Sequence, residues 1–249
     1  MTYQVTDSDL RALLDIVDVG RSDALVEEGM PTDVLERASD LVRCEVLSFV
    51  EFDDKRRILY FDQSLPVEAA EDGDELDAFW NNYWDDLSCC YPSVSGDTRT
   101  ITTVSDFYTS RQMHETGMYV EYLGPLGLEH EAMMCLSAPA GRSRRLLFFR
   151  ERGGPDFDDR DRLLLSLLRP HLNELYQELE SRRRPQPNLT PRQWELMRLV
   201  AAGHSNAEIA KALVVSATTV RKHLENIFER LGVTSRTGAV ARVFPSLPY

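Results

Sequence analysis

The chain has 249 residues, of which 43% are apolar and 28% charged, and its formal net charge is −13. This composition excludes a collagen-like, disulfide-rich or wholly disordered chain and can build one large or two modest domains. The acidic balance argues against a nucleic-acid partner, because phosphates attract basic proteins. The four cysteines form no C-x-x-C pair and no apolar stretch is long enough to span a membrane, so we expect a cytoplasmic protein with reduced thiols.

The first 180 residues alternate between helical and strand patterns. Apolar side chains at helical spacing predict helices over residues 8–19 and 32–42. Alternating apolar residues over 46–52 and 57–63, with a polar turn between them, predict a β-hairpin. The later predictions are a helix over 74–87, a short strand over 100–104, a helical or loop region over 106–113, a second antiparallel pair over 131–137 and 144–150, and a long helix over 158–181 bent at Pro170.

This order of elements predicts an α+β domain, with an antiparallel sheet and helices on its faces. The order is similar to that of GAF-like sensor domains. Two segments, SDFYTSRQMHETGMYVEYLGPLGLEHEAMMCL and RLLFFRERGGPDFDDRDRLLLSLLRPHLNELY, resemble the input domain of LuxR-type regulators. A phosphorylated receiver domain is disfavoured, because the acidic pair Asp53-Asp54 lies in a hairpin turn instead of following a first parallel strand.

Four aromatic residues, at positions 79, 80, 83 and 84, recur at helical spacing. Such a stripe can line a ligand pocket between a sheet and its helices, so Trp80, Tyr83 and Trp84 are the candidate ligand-binding residues. Ordinary core packing is the alternative explanation, because most aromatic stripes pack against their own domain. The chemistry of a ligand does not follow from a GAF-like fold.

Sulfur and imidazole side chains raise a second hypothesis, a thiol or metal sensor. The candidates are Cys89, Cys90, Cys135, His114 and His130. Their spacing matches no metal-binding signature, and free cysteines are usually buried core residues, so we predict neither a metal nor a cofactor.

An enzymatic function has little support in the sequence. The His-Glu pair at 114–115 lacks the second histidine of H-E-x-x-H, and G-x-S-x-G, Walker A and G-x-G-x-x-G patterns are missing. We therefore expect no catalytic residues, although an enzyme fused to a second module stays an alternative.

The polar stretch 181–188, with two closely spaced prolines, predicts a linker. The sign of the net charge changes at the same place. Residues 185–249 carry eight basic and four acidic side chains, a net charge of +4, whereas the remainder carries 20 basic and 37 acidic ones, a net charge of −17. A basic module thus follows an acidic one, and the bulk charge no longer argues against DNA.

The basic module contains four predicted helices, each with a recognisable N-terminal capping residue. Thr190 and Gln193 form a capping box with proline at the first helical position, and Ser205 and Glu208 form a second box. Serines at 216 and 235 start the third and fourth helices, and glycines at 203 and 232 end the first and third.

The second and third of these helices have the spacing of a helix-turn-helix. The short helix ends near Leu213 and the longer one begins at Ser216. Apolar residues at 220, 224, 227, 228 and 231 face a core, which leaves a polar face that can enter a major groove. A small helical bundle with a solvated charged face is the alternative.

The segment LTPRQWELMRLVAAGHSNAEIAKALVVSATTVRKHLENIFERLGVTSRTGAVAR resembles the LuxR-type helix-turn-helix of bacterial transcription regulators. The resemblance implies a recognition helix in the major groove of double-stranded DNA and binding as a homodimer. By position, Arg221, Lys222 and Glu225 match base-reading sites of the family. Thr218 and Thr219 match sites that face phosphates.

We therefore predict a bacterial transcription regulator that acts in the cytoplasm and associates with the nucleoid. A GAF-like regulatory domain over 1–180 senses an unknown signal, such as a small molecule. A linker over 181–188 joins it to a DNA-binding domain over 189–249. A protein-interaction or dimerisation role for the first domain remains the main alternative, and no membrane partner is expected.

Overall fold

The computed structural model describes residues 5–20, 28–66, 73–183 and 189–244. Contacts divide the chain into two compact units, Met1–Glu178 and Leu179–Tyr249. Residues 181–183 of the predicted linker end the long helix of the first part of the chain, and residues 184–188 lie outside the described residues. The predicted domain boundaries therefore stay a prediction.

Five strands and six α-helices build the first part of the chain within the described residues. The helices are α1 (Asp7–Gly20), α2 (Thr32–Val42), α3 (Gly73–Asn82), α4 (Leu87–Ser95), α5 (Ser110–His114) and α6 (Asp159–Arg183). The strands are β1 (Val46–Asp53), β2 (Ile58–Leu65), β3 (Thr102–Thr103), β4 (Leu128–Leu136) and β5 (Ser143–Glu151). A 3₁₀ turn covers Val104–Asp106 and a π-helical turn covers Tyr119–Leu123.

The strands form one antiparallel sheet in the order β2-β1-β5-β4-β3. Both predicted hairpins are present, and pairing of β1 with β5 places them side by side. In the first hairpin turn the Asp53 carboxylate accepts hydrogen bonds from the backbone N–H groups of Lys55 (3.1 Å) and Arg56 (2.9 Å). The predicted α+β architecture is confirmed.

Helices cover both faces of this sheet. Because successive side chains of a strand point to opposite faces, Leu146 and Phe148 join one core cluster, whereas Leu147 and Phe149 join the other. We call the first side the α6 face, since α1, α2 and α6 pack on it. The opposite side, the α3 face, is covered by α3, α4, α5 and the π-helical turn. Most side chains of the central strands therefore have little contact with solvent.

The single helix predicted over 74–87 is wrong. The chain forms two helices there, because α3 ends at Asn82 and α4 begins at Leu87. The Asp86 carboxylate accepts hydrogen bonds from the backbone N–H groups of Ser88 (3.0 Å) and Cys89 (3.2 Å) and so caps a new helix. The strand predicted over 100–104 contains only Thr102–Thr103, since the 3₁₀ turn starts at Val104.

The second unit contains four further helices, as predicted: α7 (Pro191–Ala201), α8 (Asn206–Leu213), α9 (Ala217–Leu231) and α10 (Arg236–Val243). Both predicted capping boxes form. Gln193 Oε1 accepts from the backbone N–H of Thr190 at 2.9 Å, and Glu208 Oε2 accepts from that of Ser205 at 2.7 Å. The shared core consists of Leu189, Leu196, Met197, Val200, Ile209, Ala210, Leu213, Val220, Leu224, Ile227, Ala239 and Val243.

Candidate functional site

The turn between α8 and α9 has the compact geometry of a helix-turn-helix. Val214 follows α8 in the left-handed region, at a φ of 56°, and its N–H donates to the carbonyl of Ala210. Two residues later, the Ser216 hydroxyl accepts from the backbone N–H of Thr219 at 3.0 Å and caps α9. Three residues therefore reverse the chain between two capped helices.

One face of α9 is free of internal contacts. Thr218, Arg221, Lys222 and Glu225 are exposed. Within the described ranges, the side chains of Arg221, Lys222 and Glu225 form no hydrogen bond or ion pair. The helix buries its opposite face, from Val220 to Ile227, in the core of the second unit. The two cationic side chains and the carboxylate are thus available to an external partner.

Thr219 occupies a different position from Thr218. It is half-buried, and its hydroxyl exchanges a 2.7 Å hydrogen bond with the Ser216 hydroxyl at the start of α9. Either oxygen can be the donor, so the pair can turn one hydroxyl hydrogen towards an incoming acceptor. The first-turn amides of α9 lie beside it, at the end of the helix where its dipole favours anions.

A pocket lies between the α3 face of the sheet and the helices that cover it. It holds about 700 Å³ of space that is unoccupied by atoms, part of it open to solvent. Apolar side chains from both layers form most of its wall, with Ser48, Asp62, Glu131 and Arg145 as polar members. The apolar lining includes Val50, Phe52, Leu59, Leu76, Phe79, Trp80, Met118, Leu123, Leu147 and Phe149.

The three aromatic residues proposed from the sequence take three different positions. Trp80 is buried and lines the pocket. Tyr83 lies behind the lining, fully buried, and its hydroxyl accepts a 2.7 Å hydrogen bond from Arg145 Nη2. Trp84 is 42% exposed and is not part of the pocket wall. Phe79, from the same stripe, does line the pocket.

Arg145 is a buried cation at the pocket, with a side chain in contact with Tyr83, Phe52 and the chain around Cys89. Its residue is only 2% exposed, and its guanidinium donates to the Cys89 carbonyl (2.6 Å) and the Ser143 hydroxyl (2.8 Å) as well as to Tyr83. The ring of Phe52 packs 4.7 Å from the guanidinium carbon. No carboxylate forms an ion pair with Arg145 in the described part of the chain. Neutral hydroxyl and carbonyl groups and the ring of Phe52 stabilise the guanidinium charge.

Glu131, on β4, is the carboxylate of the pocket wall that lacks a partner. It is 6% exposed, lines the pocket, and receives no hydrogen bond or ion pair from the residues that the structure describes. Burial, reinforced by the negative charge of Asp86 and opposed by the positive charge of Arg145, raises the pKa of Glu131 to about 7. A carboxyl group with this pKa is present in both protonation states near neutral pH.

On the α6 face, buried arginines form ion pairs with carboxylates. Arg144 donates to Glu51 Oε2 from Nη2 (2.6 Å) and Nε (2.8 Å), and Arg142 donates to Glu51 Oε1 (2.7 Å). Arg150 is likewise buried and pairs with Asp161 at 2.8 Å. Sequence reasoning assigned residues 144–150 to a strand and missed these pairs, since the strand pattern alone does not show which arginines are buried.

The sulfur and imidazole candidates are scattered among separate contacts. All four cysteines are buried and unbridged. Burial raises the thiol pKa at Cys44, Cys89, Cys90 and Cys135, which disfavours the reactive thiolate. The two histidines proposed with them contact Glu129 and Gly154 respectively. Within the described ranges, no three His, Cys, Asp or Glu side chains come together as a metal site, and no helix could span a membrane.

A compact helix-turn-helix with an exposed basic and acidic face defines a DNA-binding unit. Residues 187–243 match the family model GerE, bacterial regulatory proteins of the luxR family. The second unit therefore contains a LuxR-family helix-turn-helix domain.

Solved structures with similar folds include two of the protein SdiA. SdiA in complex with octanoyl-rac-glycerol shares 17% identity over 96% of each chain, with a TM-score of 0.56. Escherichia coli SdiA shares 18% identity over 96% of this chain and 97% of that chain, with a TM-score of 0.53. These matches show a common fold.

The chain is also similar to the GAF domain of a Coxiella burnetii phosphoenolpyruvate-protein phosphotransferase. That match has 10% identity, covers 70% of this chain and 95% of the other, and has a TM-score of 0.46. The sheet and helices of the first unit form the α+β arrangement that the sequence predicts.

The paired and unpaired glutamates should respond in opposite ways to the same substitution. Glu51→Gln leaves the buried Arg144 cation without its counterion and should lower the free energy of unfolding by about 3 kcal/mol. Glu131→Gln removes a buried carboxylate that has no hydrogen-bond or ion-pair partner among the described residues, and should raise that free energy by about 1–3 kcal/mol at pH 8. Urea unfolding followed by tryptophan fluorescence measures both.

The gain in the free energy of unfolding from Glu131→Gln should grow with pH. Below the ordinary pKa of 4.5, folded and unfolded chains both hold the Glu131 proton, whereas between 4.5 and about 7 only the folded chain retains it. Stability of the unsubstituted protein therefore falls as pH rises through this window and levels off above it. A stability difference between the two proteins that is constant from pH 5 to pH 8 would contradict the unpaired state of Glu131.

Proposed function

We propose that this regulator binds double-stranded DNA at specific sequences by inserting α9 into the major groove. The observation that carries the proposal is the exposed face of α9, where Arg221, Lys222 and Glu225 have no hydrogen-bond or ion-pair partner among the described residues, while the opposite face is buried. Such a protein acts on DNA in the bacterial cytoplasm. The net charge of +4 over 185–249 favours the approach of this segment to phosphates.

Each residue of this face has a distinct role in the proposal. Arg221 and Lys222 donate to guanine acceptors and Glu225 accepts from cytosine. Thr218 and Thr219 hold a phosphate together with the first-turn amides of α9. These assignments combine the resemblance of the segment to its family with the exposed geometry of α9.

Arg221→Ala should weaken binding to an operator selected from random DNA by about 1–3 kcal/mol and reduce discrimination against scrambled DNA. Thr218→Ala should weaken both DNAs about equally, because a phosphate contact carries no sequence information. Arg198→Ala removes the same charge from α7, where the side chain is exposed, and is the matched control. Gel-shift titration measures all three; equal losses for Arg221→Ala and Arg198→Ala would refute the base-reading role.

The pocket of the first unit supports a sensory role for that unit. We infer that it binds a small amphipathic molecule, because an apolar wall surrounds a few polar groups, of which Glu131 and Arg145 are buried, as in ligand sites generally. The shared fold with SdiA, a protein solved with octanoyl-rac-glycerol, points the same way. In this proposal Trp80 contacts the ligand, Tyr83 acts through Arg145, and Trp84 has no contact with it.

Occupation of the pocket then biases DNA binding, as a coupling free energy between two sites. The expected observation is an operator affinity that changes when a pocket ligand is added. The same affinity with and without a bound ligand would leave the first unit with a docking or dimerisation role, and an enzymatic role would require measured turnover.

A homodimer is the second part of the proposal, and an apolar face on α1 and α6 favours it. Leu10 and Leu14 on α1 are exposed one turn apart, and Leu163 and Leu167 on α6 are exposed one turn apart. Arg160 donates to Asp9 at 2.5 Å and ties the beginnings of these helices together. We call these four leucines the leucine face.

The leucine face lies beside a groove shared by the two helices. Val17 and Leu175 both border that groove, which places α1 and α6 side by side. Large exposed apolar patches on such neighbouring helices are typical of interfaces between subunits. A second copy of the chain can cover all four leucines through a two-fold axis.

The double variant Leu14→Glu, Leu167→Glu should shift the protein from dimer to monomer, because two carboxylates would be desolvated at the interface in each subunit. Val94→Glu introduces the same charge at an equally exposed apolar residue on α4 and should leave the dimer intact. Sedimentation equilibrium distinguishes the two states. A double variant that remains dimeric, or an unsubstituted chain that is monomeric, would show that the leucine face is not the interface.

A further inference from the structure

Two elements that cover the α3 face, α3 and the π-helical turn, meet at the edge of the pocket. Phe79 and Trp80 line the pocket from α3, and Tyr122 and Leu123 line it from the turn. The rings of Phe79 and Tyr122 lie on opposite sides of the junction, with their centroids 5.6 Å apart. Both residues are half-buried, so the junction reaches from the pocket to the molecular surface. We call this junction the seam.

A hydrogen bond beside the seam joins the two elements. Asn82 Nδ2, at the end of α3, donates to Glu121 Oε2 of the π-helical turn at 2.8 Å and to the Ala78 carbonyl at 2.9 Å. Asn82 is half-buried and Glu121 is exposed. Because water competes for a hydrogen bond in this position, the bond can break without any change in the core.

Gly117 makes room for the Asn82 amide. A Cβ atom at position 117 would overlap Asn82 Oδ1, and its nearest neighbours would all be atoms of the Asn82 side chain. The backbone of Gly117 lies outside the left-handed region, so alanine can adopt the same conformation. Close approach of the amide therefore explains this glycine, and it holds Asn82 where its nitrogen reaches Glu121.

The turn that carries Glu121 has a rare backbone geometry. The Gly124 N–H closes the π-helical turn by donating to the Tyr119 carbonyl at 2.7 Å. A Cβ atom at position 124 would lie only 2.7 Å from the same carbonyl oxygen, so a side chain there would disturb the turn. Short π-helical segments occur frequently at functional sites, and this one forms an edge of the pocket.

We propose that the hydrogen bond between Asn82 and Glu121 is a latch on the seam, and that the pocket exchanges its contents with solvent when the seam opens. The latch sets the rates of entry and release and leaves the affinity nearly unchanged, because neither side chain lines the pocket. The use of such a latch rests on the proposed sensory function. Access to the pocket, however, can be measured without a ligand.

Cys89 reports when the pocket is open, because this residue is buried and lines the pocket. Cys44 is buried as well, but it lies in the core of the α6 face and reports general unfolding. Burial raises the pKa of both thiols, so each reacts slowly until it is exposed. Methyl methanethiosulfonate, a small neutral reagent, forms a mixed disulfide with a cysteine thiolate and releases methanesulfinate. Peptide mass spectrometry of the full chain measures the rate at each cysteine.

Three substitutions break the latch in different ways. Glu121→Ala removes the acceptor, Asn82→Ala removes the donor, and Gly117→Ala displaces the Asn82 amide. Each should accelerate the modification of Cys89 about fivefold and leave the rate at Cys44 unchanged, because one exposed hydrogen bond is lost and the core is intact. Glu121→Gln retains an oxygen acceptor and should keep the slow rate of the unsubstituted protein.

Glu115→Ala is the matched control, because it removes the same charge from an exposed residue at the end of α5 and should change neither rate. A Cys89 rate that is unchanged in any latch variant, or that rises equally in Glu115→Ala, would overturn the latch. Equal acceleration at Cys89 and Cys44 would also overturn it, since the effect would then be a loss of overall stability. These outcomes are independent of the sensory proposal, which is tested by operator affinity with a pocket ligand.

Discussion

The central constraint on the first unit is that its sheet has helices on both faces. A charged side chain that is buried on β1, β4 or β5 has little access to bulk water, so it favours a partner inside the protein. On the α6 face the need is met by ion pairs, of which Arg144 with Glu51 is the clearest. On the α3 face Arg145 is held by neutral groups, and Glu131 has no partner in the described part of the chain. The polar character of the pocket follows from this asymmetry between the faces.

The two faces of the sheet therefore have different roles, one in stability and the other in recognition. The α6 face has a continuous apolar core from α1, α2 and α6 with closed ion pairs, so it holds the sheet rigid. The α3 face is covered by shorter helices and turns, and it encloses the pocket. Glu131 lines this pocket from strand β4. This position suits a binding site, because a side chain on a strand is positioned more accurately than one on a loop.

The sequence predicts the second unit much better than the pocket, and the reason is the range of the interactions. Thr190, Ser205 and Ser216 each accept from a backbone N–H three residues away, so their spacing alone predicts where helices start. The pair of Glu51 and Arg144 joins residues 93 apart, and it depends on how β1 meets β5. The restart of the helix at α4 also depends on one side chain, Asp86, within a continuous helical pattern. Glu131 was missed because a glutamate in a strand is usually exposed, and only the cover on the α3 face buries it.

The account depends most directly on the state of the Glu131 carboxyl group. Its titration can be followed by the ¹³C chemical shift of the carboxyl carbon in the full chain, assigned by comparison with Glu131→Gln and recorded without added ligand. The account predicts a midpoint near pH 7, well above the ordinary value of 4.5, because the group is buried and unpaired. A midpoint at or below the ordinary value would mean that the carboxylate is solvated or paired, and would contradict the burial of Glu131 in the pocket wall.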